Sequence, residues 1–138
     1  MTLLELYNYA SAENVRVDAF PLGKTEALSL RDGDGDCFIA IDPFRVKGAA
    51  DEKTKLGHEL GHCMTGAFYS VDCPCDVRER SENRAVKWEI QALISREALQ
   101  RAVADGHTEV WDLAEIFGVT EDFMRKAICW YEKGRLTE

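Results

Sequence analysis

The sequence predicts an α+β fold in which a small three-stranded antiparallel sheet packs on a helix carrying two histidines, with further helices C-terminal to it. Three observations lead there. Runs between residues 15 and 41 have the length and alternation of strands. From about Asp51 the apolar residues recur with a helical period. The chain has 138 residues, one domain's worth, so both kinds of element share one core.

The elements follow in order. Residues 2–13 read as a first helix with Leu3, Leu4, Leu6, Tyr7 and Ala10 on its apolar side. Val15, Val17 and Ala19 alternate with Arg16 and Asp18 in a first strand. Ala27-Leu28-Ser29-Leu30 is a second, and Cys37 to Ile41, closed by Asp42-Pro43, is a third. Asp32-Gly33-Asp34-Gly35-Asp36 between the last two has the composition of a hairpin loop. A helix over 51–66 ends around Thr65-Gly66, and a loop containing Cys73-Pro74-Cys75 follows. A longer helix starts near Glu79 and runs past Ile94. Two short helices, near 108–117 and 121–133, are split by Gly118. Residues 1–138 read as one domain, with 105–138 a helix-turn-helix-like packing or docking subdomain.

Hydrophobic content of 46% and charged content of 30% are ordinary for a globular protein and exclude disordered or collagen-like classes. No stretch approaches about 18 uninterrupted apolar residues, so no membrane span is expected. The start lacks a basic segment and carries Glu5 early, unlike a secretory signal. With five cysteines, an odd count, the expectation is reduced thiols in a cytoplasm. The net charge of −8 disfavours binding to phosphate backbones and suits basic protein partners. The 105–138 segment repeats that balance, with four Lys/Arg against eight Asp/Glu, and Glu121 and Asp122 stand where a recognition helix would meet DNA. No direct nucleic-acid contact is expected.

The chemistry lies in His58-Glu59-Leu60-Gly61-His62, an H-E-x-x-H pattern. On a helix, positions i and i+4 share a face, so both imidazoles can aim at one ion. Glu59 is rotated off that axis, where its carboxylate can take a proton from water that a zinc ion acidifies. Gly57 and Gly61 interrupt the helix at about 1 kcal/mol each relative to alanine, which suits close approach of a neighbouring element. A catalytic zinc wants a third protein ligand. Thr65 and Phe68 stand where the longer metzincin pattern needs glycine and histidine, which excludes that class. His107 lies in a turn-like context. Asp72, Asp76, Glu79, Glu82 and Glu89 are the acidic candidates, and one from the next long helix would complete a His₂–carboxylate set. Tyr69 follows the motif closely and could donate to a developing oxyanion. Asp32, Asp34 and Asp36 imitate the start of a calcium loop, but Cys37 and Pro43 stand at its glycine and glutamate positions. Cys73 and Cys75, with Cys63, are too tightly spaced for a second zinc site.

The H-E-x-x-H pattern together with Glu82-Asn83-Arg84-Ala85-Val86-Lys87-Trp88 resembles the ImmA/IrrE family of metallo-endopeptidases, over about Phe38 to Leu99. The resemblance implies a zincin-like fold, zinc as cofactor, His58, His62 and Glu82 as its ligands, and Glu59 as the catalytic acid/base. It implies hydrolysis of a specific protein partner, a helix-turn-helix repressor of a phage or mobile element, and so a part in transcription regulation. Val86, Glu89 and Ser95 depart from the pattern, and Glu89, two helical turns from Glu82, is the alternative ligand. The competing class is a non-catalytic, zinc-containing regulatory module that binds a protein partner.

Overall fold

Cys37, Ile39 and Ile41 point every second side chain of one strand into the core, and that strand becomes the centre of the sheet. In the computed structural model, which describes residues 1–137, β1 (Arg16–Ala19), β2 (Ala27–Arg31) and β3 (Cys37–Ile41) are ordered β1-β3-β2. The β2–β3 hairpin is antiparallel, with Ala27 opposite Ile41 and Arg31 opposite Cys37. Its loop is set by the Asp32 carboxylate, which accepts from the Asp34 and Asp36 N–H groups at 2.9 and 3.0 Å. β1 pairs with β3 in parallel, Arg16 opposite Phe38 and Ala19 opposite Ile41. The sheet is therefore mixed rather than antiparallel. β1 and β2 do run in opposite directions, but the more apolar β3 takes the buried place between them.

Residues 20–26 carry the chain from β1 to β2 across the end of β3, and Asp42 catches them there. Its Oδ2 accepts from the N–H groups of Leu22 and Gly23 at 2.9 and 3.4 Å, and its Oδ1 from that of Phe44 at 2.9 Å. Burial opposes ionisation of this carboxyl. The N–H groups of Leu22, Phe44 and Gly23 outweigh burial and hold its pKa below the ordinary 3.8. A lowered folded-state pKa contributes stability above the unfolded value and loses it as pH falls through the folded one. Asp42→Asn is therefore expected to be less stable than wild type at neutral pH and to lose stability less steeply below about pH 4. Denaturant melts of both proteins over a pH series check this; parallel acid limbs would remove Asp42 from the account.

Six helices complete the α+β fold among the described residues. α1 (Leu3–Ala12) buries Leu6 and Ala10. α2 (Ala49–Thr65) carries the histidines and packs Leu56 and Leu60, both fully buried, into the core. α3 (Cys75–Leu93) begins four residues before the predicted Glu79. Pro74 precedes its first turn, where a missing N–H costs nothing, so Cys75 is helical rather than part of a loop. α3 also stops before the predicted point. Ile94 is extended, and the Ser95 hydroxyl accepts from the Ala98 N–H at 3.1 Å, capping a separate α4 (Arg96–Ala104). α5 (Val110–Phe117) and α6 (Glu121–Lys133) follow as predicted to within two residues. They are tied to α2 by Lys53 Nζ, which donates to the Phe117 carbonyl, and by the Thr120 N–H, which donates to Thr54 Oγ1 at 3.2 Å. No described helix is long and apolar enough to cross a membrane.

The expectation of reduced thiols fails at one pair. Cys37 at the head of β3 and Cys63, directly after His62, form a disulfide with Cα atoms 5.9 Å apart. They are separated by 26 positions in the sequence, and only the packing of α2 on the sheet brings them together. Cys73, Cys75 and Cys129 remain free thiols.

Candidate metal centre

Two helices build the site. α2 presents His58 and His62 one turn apart, and their rings meet edge to face with centroids 4.9 Å apart. α3 crosses α2 closely enough to bring Glu82 onto the same point. Glycine makes that crossing possible. A Cβ on Gly61 would lie 2.4 Å from the Ala85 carbonyl oxygen, and one on Gly57 would lie 2.8 Å from Glu89 Oε2. The close approach expected of both glycines is thus the α2–α3 contact.

Glu82 Oε2 lies 2.7 Å from His58 Nε2 and 3.3 Å from His62 Nε2. Its Oε1 accepts from the Tyr69 hydroxyl at 2.6 Å. His58, His62 and then Tyr69 hold the Glu82 carboxyl well below the usual carboxylate range, against the opposing effect of burial. The same contact, with some burial, pushes the Tyr69 hydroxyl up to about 12. His62 is fixed from behind. Its Nδ1–H donates to the Ala67 carbonyl at 2.5 Å, which also accepts the Ser81 hydroxyl at 2.7 Å. That bond fixes the ring and turns Nε2 toward Glu82.

One ligand atom from each of His58, His62 and Glu82 lies within 4.8 Å of the others, and this is the group among the described residues that could hold a metal ion. Two imidazole nitrogens and a carboxylate oxygen suit a divalent transition ion. Glu59 fits beside them. It is buried, and its Oε2 has no hydrogen-bond partner in the protein. Burial raises its pKa, outweighing the opposing influence of His58, His62 and Ser29.

A cavity of about 420 Å³ opens over these residues. Thr25 to Ser29, in and before β2, form one wall; Phe68 and Tyr69 line it with His58, Glu59, His62 and Glu82. Neither this use of β2 nor that of Phe68 is marked by any local pattern. Nor could it show the Ala67 carbonyl behind His62, since a backbone acceptor leaves no mark on residue identity.

The other candidates lie elsewhere. Glu89 is outside the metal-binding group and sits behind His58, 1% exposed, with Oε1 3.9 Å from His58 Nδ1. Burial pushes its carboxyl well above the ordinary value. His107 is occupied by Asp112, at 2.6 Å. Glu121 and Asp122 occupy the first turn of α6, as acids at a helix N-terminus do. No family model matches the sequence, and no curated protein matches it either.

Proposed function

We propose that this protein is a zinc-dependent endopeptidase of zincin-like fold that cuts a specific protein partner. The observation that carries this reading is the convergence of His58, His62 and Glu82, with buried Glu59 beside them under one open cavity. What zinc supplies when held by such a set is Lewis acidity, which polarises a carbonyl and acidifies water. The chain supplies the rest. Glu59 Oε2, with no protein partner, takes a proton from water and passes it to the leaving amine. The Tyr69 hydroxyl lines the same cavity, and by turning from Glu82 Oε1 it would donate to a developing oxyanion. β2 is an edge strand, and Ala27 to Ser29 line that cavity. An extended peptide pairing with the free edge would lie across the site.

The partner in this reading is a basic, DNA-binding repressor, the substrate that the family resemblance implies. A net charge of −8 favours its approach. The test is a proteome-derived peptide library incubated with the purified protein and read by mass spectrometry. New termini are expected with the zinc-loaded protein, none after chelation, and recovery on adding zinc back. Termini that form equally in the presence of chelator, or none at all with zinc bound, would leave the non-catalytic module as the better reading.

A further inference from the structure

A histidine that offers one ring nitrogen to a metal needs an acceptor for the N–H on the other. That acceptor fixes the tautomer and the tilt of the ring. His62 has one in the Ala67 carbonyl, 2.5 Å from Nδ1. His58 is turned the same way, with Nε2 toward Glu82 at 2.7 Å. Its Nδ1 faces Glu89 Oε1 at 3.9 Å, too long for a hydrogen bond.

Glu89 is otherwise hard to account for. It is 1% exposed, and its Oε2 has no partner. A buried polar group without a partner is costly, and an apolar side chain of similar length would pack there more cheaply. The fold nevertheless makes room for it. Gly57, directly before His58, lacks the Cβ that would lie 2.8 Å from Glu89 Oε2 and 3.0 Å from its Cγ. Glu82 and Glu89 are two turns apart on one face of α3, so they bracket the His58 ring, one carboxyl at each nitrogen. Val86 lies between them on that face and offers no acceptor.

We propose that Glu89 is the positioning residue of His58, accepting its Nδ1–H so that Nε2 is held toward the metal. This rests on the His58/His62/Glu82 reading above. Closing 3.9 Å to a hydrogen bond takes a shift of about 1 Å, within reach of the Glu89 side-chain torsions. Glu89 thus does for His58 what the Ala67 carbonyl does for His62.

The test compares wild type with Glu89→Met, Glu89→Ala and Glu89→Gln. Zinc affinity is measured by competition with a chromogenic chelator, and the melting temperature is measured on the metal-free proteins. Glu89→Met is expected to bind zinc about 10–100-fold more weakly, while its metal-free form melts no lower than wild type. Glu89→Ala removes the same acceptor without a new side chain to pack, and is expected to lose affinity alike. Glu89→Gln keeps an accepting oxygen and is expected to stay within about threefold of wild type. Wild-type affinity in both Glu89→Met and Glu89→Ala overturns the proposal and leaves the three-ligand site standing. A wild type that binds no zinc overturns the site reading and this inference with it.

Discussion

Glu59→Gln is expected to stop peptide hydrolysis while leaving zinc in place. The substitution keeps the size and shape of the side chain, and Glu59 is not in the ligand group. What it removes is the ability to take up and return a proton. General acid–base groups contribute about 10²–10⁴-fold, so kcat/KM on a peptide that wild type cuts is expected to fall by at least that range. Zinc per protomer should not change, and the melting temperature should hold or rise, because a buried carboxyl gives way to a neutral amide. Elemental analysis beside a cleavage time course reads both quantities. Undiminished cleavage by a fully loaded variant would retire Glu59 as the base.

Gly61→Ala adds one methyl group and is expected to disrupt the site more than any surface change. On propensity alone it should stabilise α2 by about 1 kcal/mol. The new Cβ would instead lie 2.4 Å from the Ala85 carbonyl oxygen, and backbone cannot rotate aside as a side chain does. Overpacking in a well-packed core typically costs about 1–3 kcal/mol, occasionally more. With backbone as the obstacle, a net loss of roughly 3 kcal/mol and a fall of about 10 °C in Tm are expected. Relief requires α3 to move away from α2, which carries Glu82 off His58 and His62, so zinc affinity should fall too. Gly57→Ala is the control. Its Cβ would meet side-chain atoms of Glu89 and Leu93 at 2.8–3.0 Å, which can shift, so its cost should be smaller. Equal Tm values for Gly61→Ala and wild type would mean that the helix crossing yields freely.

The part of the site legible in the sequence was the part written in local spacing. His58 and His62 share a helix face because they are four residues apart, and Glu59 follows from the same turn. Gly57 and Gly61 signalled a close neighbour because each costs helix stability that something must offset. Glu82 entered through a family resemblance, and its place beside both imidazoles depends on a helix crossing that no local pattern encodes. The same limit hid the Cys37–Cys63 bond, the Ala67 carbonyl and the wall formed by β2. Strand identities were readable from alternation, but not which strand would lie in the middle. That is decided by competition for burial, and β3 wins with Cys37, Ile39 and Ile41. Two helix boundaries did carry a local signal: Pro74 suits the position before a first turn, and a serine three residues ahead of Ala98 is able to start a new helix.

The strand order has a consequence for how the protein assembles. β1 and β2 are both made before the strand that separates them, and neither pairs with the other. Until residues 37–41 are available, the sheet has no hydrogen-bonded partner for anything already synthesised. The first pairing open to the chain is then the local β2–β3 hairpin, whose loop closes over few residues and at low entropic cost. β1 can only add afterwards, to the far side of β3 and across a much longer loop. Changes around Asp32 to Asp36 should therefore slow folding, whereas changes in β1 should chiefly hasten unfolding.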